Sequence, residues 1–441
     1  MDGTSASLFD LLNTSLVLHQ LAPYLSLPAK LALAATCKAY RDVLMDAPET
    51  FRYLDLSNVK RARLGDLPPI DLGGVSWRAE RMDENLTEDE FYCGPLRGIF
   101  TILQRRGILK HVYTLILDGL SCPADLVQEI MTEDRFNVRM LSIRQATHLN
   151  ERKLMQVLKY VCRPTRSHGT PRVKALYVFG KAESYDLGAG VRDKKEPEHQ
   201  PASGGVMSSE GAQIGAEWNQ KSQSALYTAL NLCEDRWYQP SGRVVRKALA
   251  SEWGATIKDC TDIIAFDAVL CRGPRHDMET LAGQTADTAV NDRWLDAAVA
   301  TVALGPSGCV KCSDSTEGAA VFDESPPSQL PLLSPPPLHS SAVRYAQMPS
   351  VKASSYPPLF ARCEDCLRGR WCERCFKWWD EKCYAGPQVG VMRSTEVRED
   401  TLQLGTLPIP NDTSGVQWGL CVEQCLVSEM MSGSGSFGMW G

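Results

Sequence analysis

Apolar residues at positions i, i+3 and i+5 recur along the first part of the chain. They stand at Phe51-x-x-Leu54-x-Leu56, Val112-x-x-Leu115-x-Leu117, Val138-x-x-Leu141-x-Ile143 and Val173-x-x-Leu176-x-Val178. Alternation over the last three positions is the period of a strand with a buried face. Weaker copies are Ile263-x-x-Phe266-x-Ala268 and Val299-x-x-Val302-x-Leu304. Between copies the period changes to that of a helix. Leu126, Val127, Ile130 and Met131 follow Pro123-Ala124-Asp125, and Leu154, Val157, Leu158 and Val161 follow Asn150, a candidate N-cap. Strand, helix and strand again, with returns of 26 and 35 residues, predicts an α/β repeat whose units bury their apolar faces against their neighbours. The longer first interval, with Pro68-Pro69 and acidic residues 83–90, predicts an irregular segment.

Helical spacing also marks the first fifty residues. Leu16, Val17, Leu18, Leu21, Tyr24 and Leu25 predict one helix. Ser26 followed by Leu27-Pro28 reads as the capped start of a second, and Cys37–Leu44 as a third. Three short helices bury little surface alone, so they need a partner or the following domain to complete them. The segment LHQLAPYLSLPAKLALAATCKAYRDVL resembles an F-box. Leu21-Ala22-Pro23-Tyr24-Leu25 corresponds to the end of the family's first apolar helix, and Cys37-Lys38-Ala39-Tyr40-Arg41 to its Cys-[KR]-x-[WY]-[RK] run. The customary Leu-Pro and acidic residue at the start are absent; Asn13-Thr14-Ser15 stands in that area. With the strand motifs behind it, the chain resembles the leucine-rich-repeat class of F-box proteins, of fungal type. That resemblance implies docking to the Skp-type adaptor of a cullin–RING ubiquitin ligase core, through Leu18, Leu21, Pro23, Tyr24, Leu25, Leu31 and Tyr40. It also implies an unidentified protein substrate and a non-catalytic role.

The expected layout is F-box-like helices at 8–48, repeats at 49–305, a cysteine-rich module at 306–426 and a flexible tail at 427–441. Residues 183–222 are polar and rich in Gly, Ser and charge, and predict a disordered insertion. Ser224–Trp237 has helical spacing, residues 313–358 form a Pro-rich spacer, and 385–415 predict a further loop. The tail's Gly433-Ser434-Gly435-Ser436-Phe437-Gly438 matches a phosphate-binding fingerprint by letter, with no helix behind it to serve one.

Charge narrows the picture. A net charge of −6 argues against a general nucleic-acid binder. The opening MDGTSASLFD carries no basic run, so a secretory leader is not expected, and the apolar run Ala297–Leu304 is too short to span a bilayer. A cytoplasmic or nuclear protein is expected.

The cysteines carry the clearest chemistry. Of sixteen, nine follow residue 308, and eight of these fall in close pairs: Cys309/Cys312, Cys363/Cys366, Cys372/Cys375 and Cys421/Cys425. Two thiolates two residues apart fit one turn and can share a tetrahedral Zn²⁺. Four pairs predict two structural zinc sites, with sequential and interleaved pairing both open. Cys383 either joins a pair or packs beside Trp378 and Trp379. The other seven, Cys37, Cys93, Cys122, Cys162, Cys233, Cys260 and Cys271, are expected as small apolar residues. No histidine lies among the pairs, and the nearby basic residues Arg362, Arg368, Arg370, Arg374 and Lys377 are expected to offset the thiolate charge. Closed thiolate sites are structural rather than catalytic. Two other functions remain open at this point: a stand-alone RING-type ubiquitin ligase, since Cys309-Val310-Lys311-Cys312 fits a RING opening, and a zinc-dependent nucleic-acid or chromatin binder using Trp378, Trp379 and nearby arginines.

Overall fold

The structure, a computed structural model, describes residues 7–59, 62–63, 88–181, 241–277, 294–305, 307–314, 320, 322, 324–349, 358–381, 383, 416–417 and 419–428. The expected insertion at 183–222, the helix at 224–237, the loop at 385–415, the stretch around Pro68-Pro69, Cys233 and most of the tail lie outside the described residues. Among the described residues the helices are α1 (Leu8–Asn13), α2 (Ser15–Leu21), α3 (Leu27–Thr36), α4 (Lys38–Asp46), α5 (Glu88–Arg105), α6 (Ala124–Thr132), α7 (Glu151–Val161), α8 (Glu252–Asp259), α9 (Val343–Gln347) and α10 (Glu364–Leu367). The strands are β1 (Tyr53–Asp55), β2 (Thr114–Ile116), β3 (Met140–Ser142), β4 (Ala175–Tyr177), β5 (Gly242–Arg243), β6 (Ala265–Phe266), β7 (Val302–Leu304), β8 (Phe360–Arg362), β9 (Val416–Gln417) and β10 (Leu420–Cys421). None of the described helices is long and apolar enough to cross a membrane.

The chain divides into two units. The first comprises residues 1–239, 262–267 and 332–351, and the second 240–261, 268–331 and 352–441. The division therefore does not fall at residue 305. Residues 242–243 and 302–304 belong with the cysteine-rich part because β5 and β8 both pair with β7.

In the first unit, α1–α4 form a small helical bundle around Leu12, Leu18, Ala34 and Leu44, with Leu33, Tyr40 and Val43 packed against them. Helix α1 had no counterpart in the sequence reading. Its signal is a capping box, in which the Asp10 N–H donates to Ser7 Oγ (3.2 Å) and the Ser7 N–H donates to the Asp10 carboxylate (3.0 Å). Pro23 ends α2 early, because a proline cannot supply the N–H that the next helical turn needs, and Ala22–Tyr24 close into a 3₁₀ turn. Ser26 caps α3 by accepting the Ala29 N–H (3.3 Å). Lys30 is buried on α3, and its Nζ donates to the Thr50 carbonyl (2.9 Å), tying the bundle to the turn that enters β1. Burial pushes this ammonium down to about 8.

The sheet of the first unit is parallel, in the order β1-β2-β3-β4-β6. Its register places Leu54, Leu115, Leu141, Leu176 and Phe266 in one row, all buried. These are the middle positions of five copies of the strand motif. Helix α6 lies between β2 and β3, and α7 between β3 and β4. Asn150 caps α7, accepting the Lys153 N–H (3.1 Å). The two helices bury Leu126, Val127, Ile130 and Met131, and Leu154, Val157, Leu158 and Val161. Parallel neighbours need such crossovers, and the three inner strands β2, β3 and β4 are buried throughout.

The turns after β2 and β3 repeat as well. Gly119 (φ 69°) and Gln145 (φ 54°) are both left-handed, and each follows a buried polar residue, Asp118 or Arg144. Arg144 Nη2 lies 3.0 Å from the Asp118 carboxylate, which also accepts the Ser142 hydroxyl (2.6 Å) and the Arg144 N–H (2.9 Å). Asp267, after β6, accepts the N–H groups of Val178 (2.9 Å), Phe179 (3.0 Å) and Gly180 (2.7 Å). Burial raises the Asp267 carboxyl above its ordinary value, against the pull of those N–H groups and of Arg144. Polar groups thus satisfy the backbone where the strands end.

Two expectations are corrected by this arrangement. The sixth motif copy, Val299–Leu304, is not in the parallel sheet: β7 pairs antiparallel with β5 and β8 in the second unit. Apolar alternation records a buried strand face and not the direction of its neighbour. The Pro-rich stretch is likewise more than a spacer. Leu332 and Ala346, the latter on α9, pack against Met140, Ala175 and Tyr177 of the sheet, and the Leu332 N–H donates to the Phe266 carbonyl (2.8 Å).

Candidate metal centres

The second unit is built around Val302, Leu304, Phe360, Leu367, Trp371, Trp378, Trp379 and Val416, interleaved with Cys309, Cys372, Cys421 and Cys425. So many thiols in so small a core mean that the cysteines are part of its packing. They fall into three clusters, in each of which the donor atoms lie within 4.8 Å of one another: Cys271/His276/Cys363/Cys366, Cys372/Cys375/Cys421/Cys425, and Cys309/Cys312/Cys383.

The all-cysteine cluster uses two knuckles. Cys372 and Cys375 occupy the turn after Trp371, and Cys421 and Cys425 the end of β10 and the helical turn Val422–Leu426. The Cys421 N–H donates to Cys372 Sγ (3.2 Å) and the Cys425 N–H to Cys421 Sγ (3.5 Å). Cys375 and Cys421 stand Sγ to Sγ at 3.7 Å. A tetrahedron with metal–sulfur bonds of about 2.3 Å has edges of about 3.8 Å, so the spacing fits one ion. The thiols also perturb one another. Burial raises Cys375 to about 11, helped by Cys372 and Cys421, whereas Cys372, penalised by the same burial, is drawn down to about 7 by backbone N–H donors. Such opposed shifts are those of thiols that cannot all ionise without a shared cation.

The mixed cluster brings a ligand pair that the sequence reading set aside. Cys271 was expected as a packing residue, and no histidine was expected among the ligands. Cys271 follows β6 and is held by its N–H donating to the Ala298 carbonyl (2.8 Å). His276 sits on the 3₁₀ turn Pro274–His276 with Nδ1 3.0 Å from the Leu295 carbonyl and Nε2 3.2 Å from Cys363 Sγ. The carbonyl fixes a proton on Nδ1 and leaves the Nε2 lone pair for the cluster, the usual support of a metal-bound imidazole. Cys363 caps α10, and the Cys366 N–H donates to Cys363 Sγ (3.4 Å). The signal in the sequence was Cys271-x₄-His276 with Gly273-Pro274 between.

Gly273 is part of this centre. A Cβ there would lie 2.5 Å from Cys366 Sγ. Gly273→Ala is expected to push Cys366 out of place and weaken metal binding at this cluster about 10- to 100-fold, leaving the all-cysteine cluster intact. Competition with a chromophoric chelator measures both.

The third cluster joins Cys309/Cys312 with Cys383. The Asp380 N–H (3.2 Å) and Lys311 N–H (3.4 Å) donate to Cys309 Sγ. Its turn closes through Ser313 N–H to the Cys309 carbonyl (2.8 Å) and Cys309 N–H to the Asp314 carbonyl (3.0 Å). Gly308 (φ 85°) is required beside it, because a Cβ would meet the Ser313 carbonyl oxygen at 2.5 Å.

The four predicted pairs thus go to three groups rather than two. Cys372/Cys375 join Cys421/Cys425, Cys363/Cys366 join Cys271 and His276, and Cys309/Cys312 join Cys383. Clusters of these donors can hold metal ions and suit Zn²⁺. The basic residues do not simply offset thiolate charge. Arg370 is fully buried, donates to the carbonyls of Cys366 (2.6 Å) and Trp379 (2.8 Å), and pairs with Glu381 (2.9 Å). Glu381 also pairs with Arg275 (3.1 Å), so one carboxylate braces the segments carrying His276, Cys366 and Cys383.

One further expectation changes. Trp378 and Trp379 are buried in the second unit's own core and are not available to stack on nucleic-acid bases. The same core takes Trp371, which stacks at 6.4 Å on Phe376.

The predicted adaptor-binding residues separate into two groups. Leu18 is in the bundle core and Tyr40 packs against it, edge-on to Phe9 at 5.5 Å, so both hold the bundle together. Leu21, Tyr24 and Leu31 are exposed, and Pro23 and Leu25 are half-buried. Leu8, Leu11 and Leu16 are exposed as well. Tyr24 meets the His339 ring at 5.2 Å.

Comparison of the chain with protein-family models, curated proteins and solved structures returned no match.

Proposed function

We propose that this protein is the substrate-recognition subunit of an SCF-type cullin–RING ubiquitin ligase. The N-terminal bundle docks a Skp-type adaptor, and the parallel sheet is a short leucine-rich-repeat-like solenoid that, with the zinc-stabilised module, presents a protein substrate. The role is that of a scaffold: it raises the local concentration of a target lysine near the charged conjugating enzyme and performs no covalent step itself.

The observation that carries this reading is the apolar exposure of the bundle. Leu8, Leu11, Leu16, Leu21, Tyr24 and Leu31 are all exposed, on α1, α2, α3 and the 3₁₀ turn between α2 and α3, with Leu16 77% exposed. Scattered surface leucines are ordinary, but six large apolar residues on so small a bundle favour a partner surface. The segment that resembles an F-box is this same bundle. The zinc clusters support the scaffold reading, since the two four-ligand groups leave no position for a reacting water. A stand-alone RING ligase finds no such support, because Cys309/Cys312 share their cluster with Cys383 rather than with a second Cys-x₂-Cys pair.

Co-purification of the full chain with Skp-type adaptor and cullin tests the proposal. Leu21→Asp/Leu31→Asp is expected to abolish adaptor capture while hydrogen exchange of β2–β4 stays as in wild type. Leu18→Asp is expected to unfold the bundle. Absence of capture by the wild-type chain overturns the proposal.

A further inference from the structure

The third cysteine cluster differs from the other two in ways that point to a different use. Among the described residues no fourth His, Cys, Asp or Glu joins Cys309, Cys312 and Cys383, whereas each of the other clusters has four donors. It also faces solvent. Cys312 is exposed and Cys383 half-buried, while three of the four donors in each of the other clusters are buried. The site is nevertheless formed. Cys309 is buried and receives two backbone N–H donors, at 3.2 and 3.4 Å, the contacts that stabilise a thiolate. Its turn depends on Gly308, and Glu381 braces the segment two residues before Cys383 from both Arg275 and Arg370.

We propose that Cys309, Cys312 and Cys383 hold a thiophilic divalent ion, Zn²⁺, with one coordination position open to solvent, and that this position accepts an exogenous small-molecule thiolate. Three thiolates on a divalent ion leave a net charge of −1 and a site that a soft fourth donor completes as a tetrahedron. Lys311 stands beside it, its Nζ donating to the Cys383 carbonyl (3.4 Å), and offsets the charge that an incoming thiolate adds. The exchange is a ligand substitution. The thiol's proton goes to solvent, its sulfur lone pair forms the new metal–sulfur bond, the metal–water bond breaks, and nothing is oxidised or reduced. The proposal rests on the metal reading above and is independent of adaptor docking.

Cobalt substitution of the full chain tests it. Metal analysis is expected to give three ions per chain, and Cys312→Ser to give two. Glutathione titrated into the Co²⁺ protein is expected to strengthen the sulfur-to-metal charge-transfer band and shift the ligand-field bands of the wild type, and to leave Cys312→Ser unchanged. With zinc loaded, a chromophoric chelator is expected to withdraw one ion at least about tenfold faster than the other two, since loss of ligand support weakens metal binding by that order. Two ions per chain in the wild type, or three with a spectrum indifferent to thiol, overturns the open third site while leaving the closed pair standing. A chain that binds no metal overturns both.

Discussion

Stripping metal from the full chain is expected to unfold the second unit and to leave the parallel sheet of the first unit folded. Hydrogen exchange checks this segment by segment. After chelation, protection is expected to be lost across 302–305, 307–312, 358–381 and 419–428, and retained across 112–117, 138–143 and 173–178. The physical ground is how little else holds the second unit. Among the described residues its sheet has three short strands, and its hairpin pairs Val416–Gln417 with Leu420–Cys421. Four of the twelve described residues in the cluster around Trp371 and Trp378 are cysteines assigned to the metal clusters. The ligands also come from distant positions: Cys271 meets Cys366, and Cys372 meets Cys425. Closing such loops without a bond costs chain entropy, and the cluster that joins them is itself a third thiols. A structural zinc contributes about 10–16 kcal/mol of apparent binding free energy at neutral pH, comparable to the whole stability of a domain, about 5–15 kcal/mol. None of the residues of the three clusters belongs to the first unit, whose row Leu54, Leu115, Leu141, Leu176 and Phe266 is buried. A chelated chain that keeps its protection in the second unit refutes the account.

Why some of this was legible in the sequence, and some not, follows from the range of each interaction. The strand motif is local: apolar residues at fixed spacing form a strand wherever a face is covered, and five copies align in one register. The caps at Ser26 and Asn150 are local too. Metal pairing is not. Cys363 and Cys366 signal a knuckle, but nothing in their neighbourhood says that the other half of the site lies at Cys271 and His276. Cys271 reads as a packing residue because its one local signal, Cys271-x₄-His276, is weak beside a Cys-x₂-Cys pair. The same limit explains Leu18 and Tyr40, where helical period marks an apolar face without saying whether a core or a partner will cover it. It also explains β7, whose antiparallel partners lie on either side of it in the chain, at Gly242–Arg243 and Phe360–Arg362. The Pro-rich stretch misled through composition: Leu330-Pro331-Leu332-Leu333 buries its leucines in spite of the prolines around them.

Arg144→Met is expected to cost the first unit about 3–5 kcal/mol, the price of leaving a buried carboxylate without its cation. Asp118 and Arg144 are both buried, and their side chains meet at 3.0 Å between Nη2 and Oδ2 and at 3.1 Å between Nε and Oδ2. In wild type the desolvation of each ion is offset by the other, by the Ser142 hydroxyl, and by the Tyr177 ring, whose centroid lies 5.4 Å from the guanidinium carbon. Removing the guanidinium strands Asp118 and also raises Asp267 further, since Arg144 opposes the effect of burial there. A carboxyl with a folded-state value above its unfolded one binds protons more tightly when folded. Through Asp267, Arg144→Met therefore loses stability as pH rises from the ordinary carboxylate value up through the raised folded one, and regains part of it in acid. Asp118→Asn/Arg144→Met removes both ions and is expected to cost less than the sum of the single changes, because an uncharged pair has no orphan to hydrate. Urea unfolding followed by exchange in β2 and β3 gives the three free energies. A loss below about 1 kcal/mol for Arg144→Met would mean that the ion pair is no more than a surface contact in its energetics. A loss in the expected range places the polar ends of β2, β3 and β6 among the main determinants of the parallel sheet, alongside its leucine row.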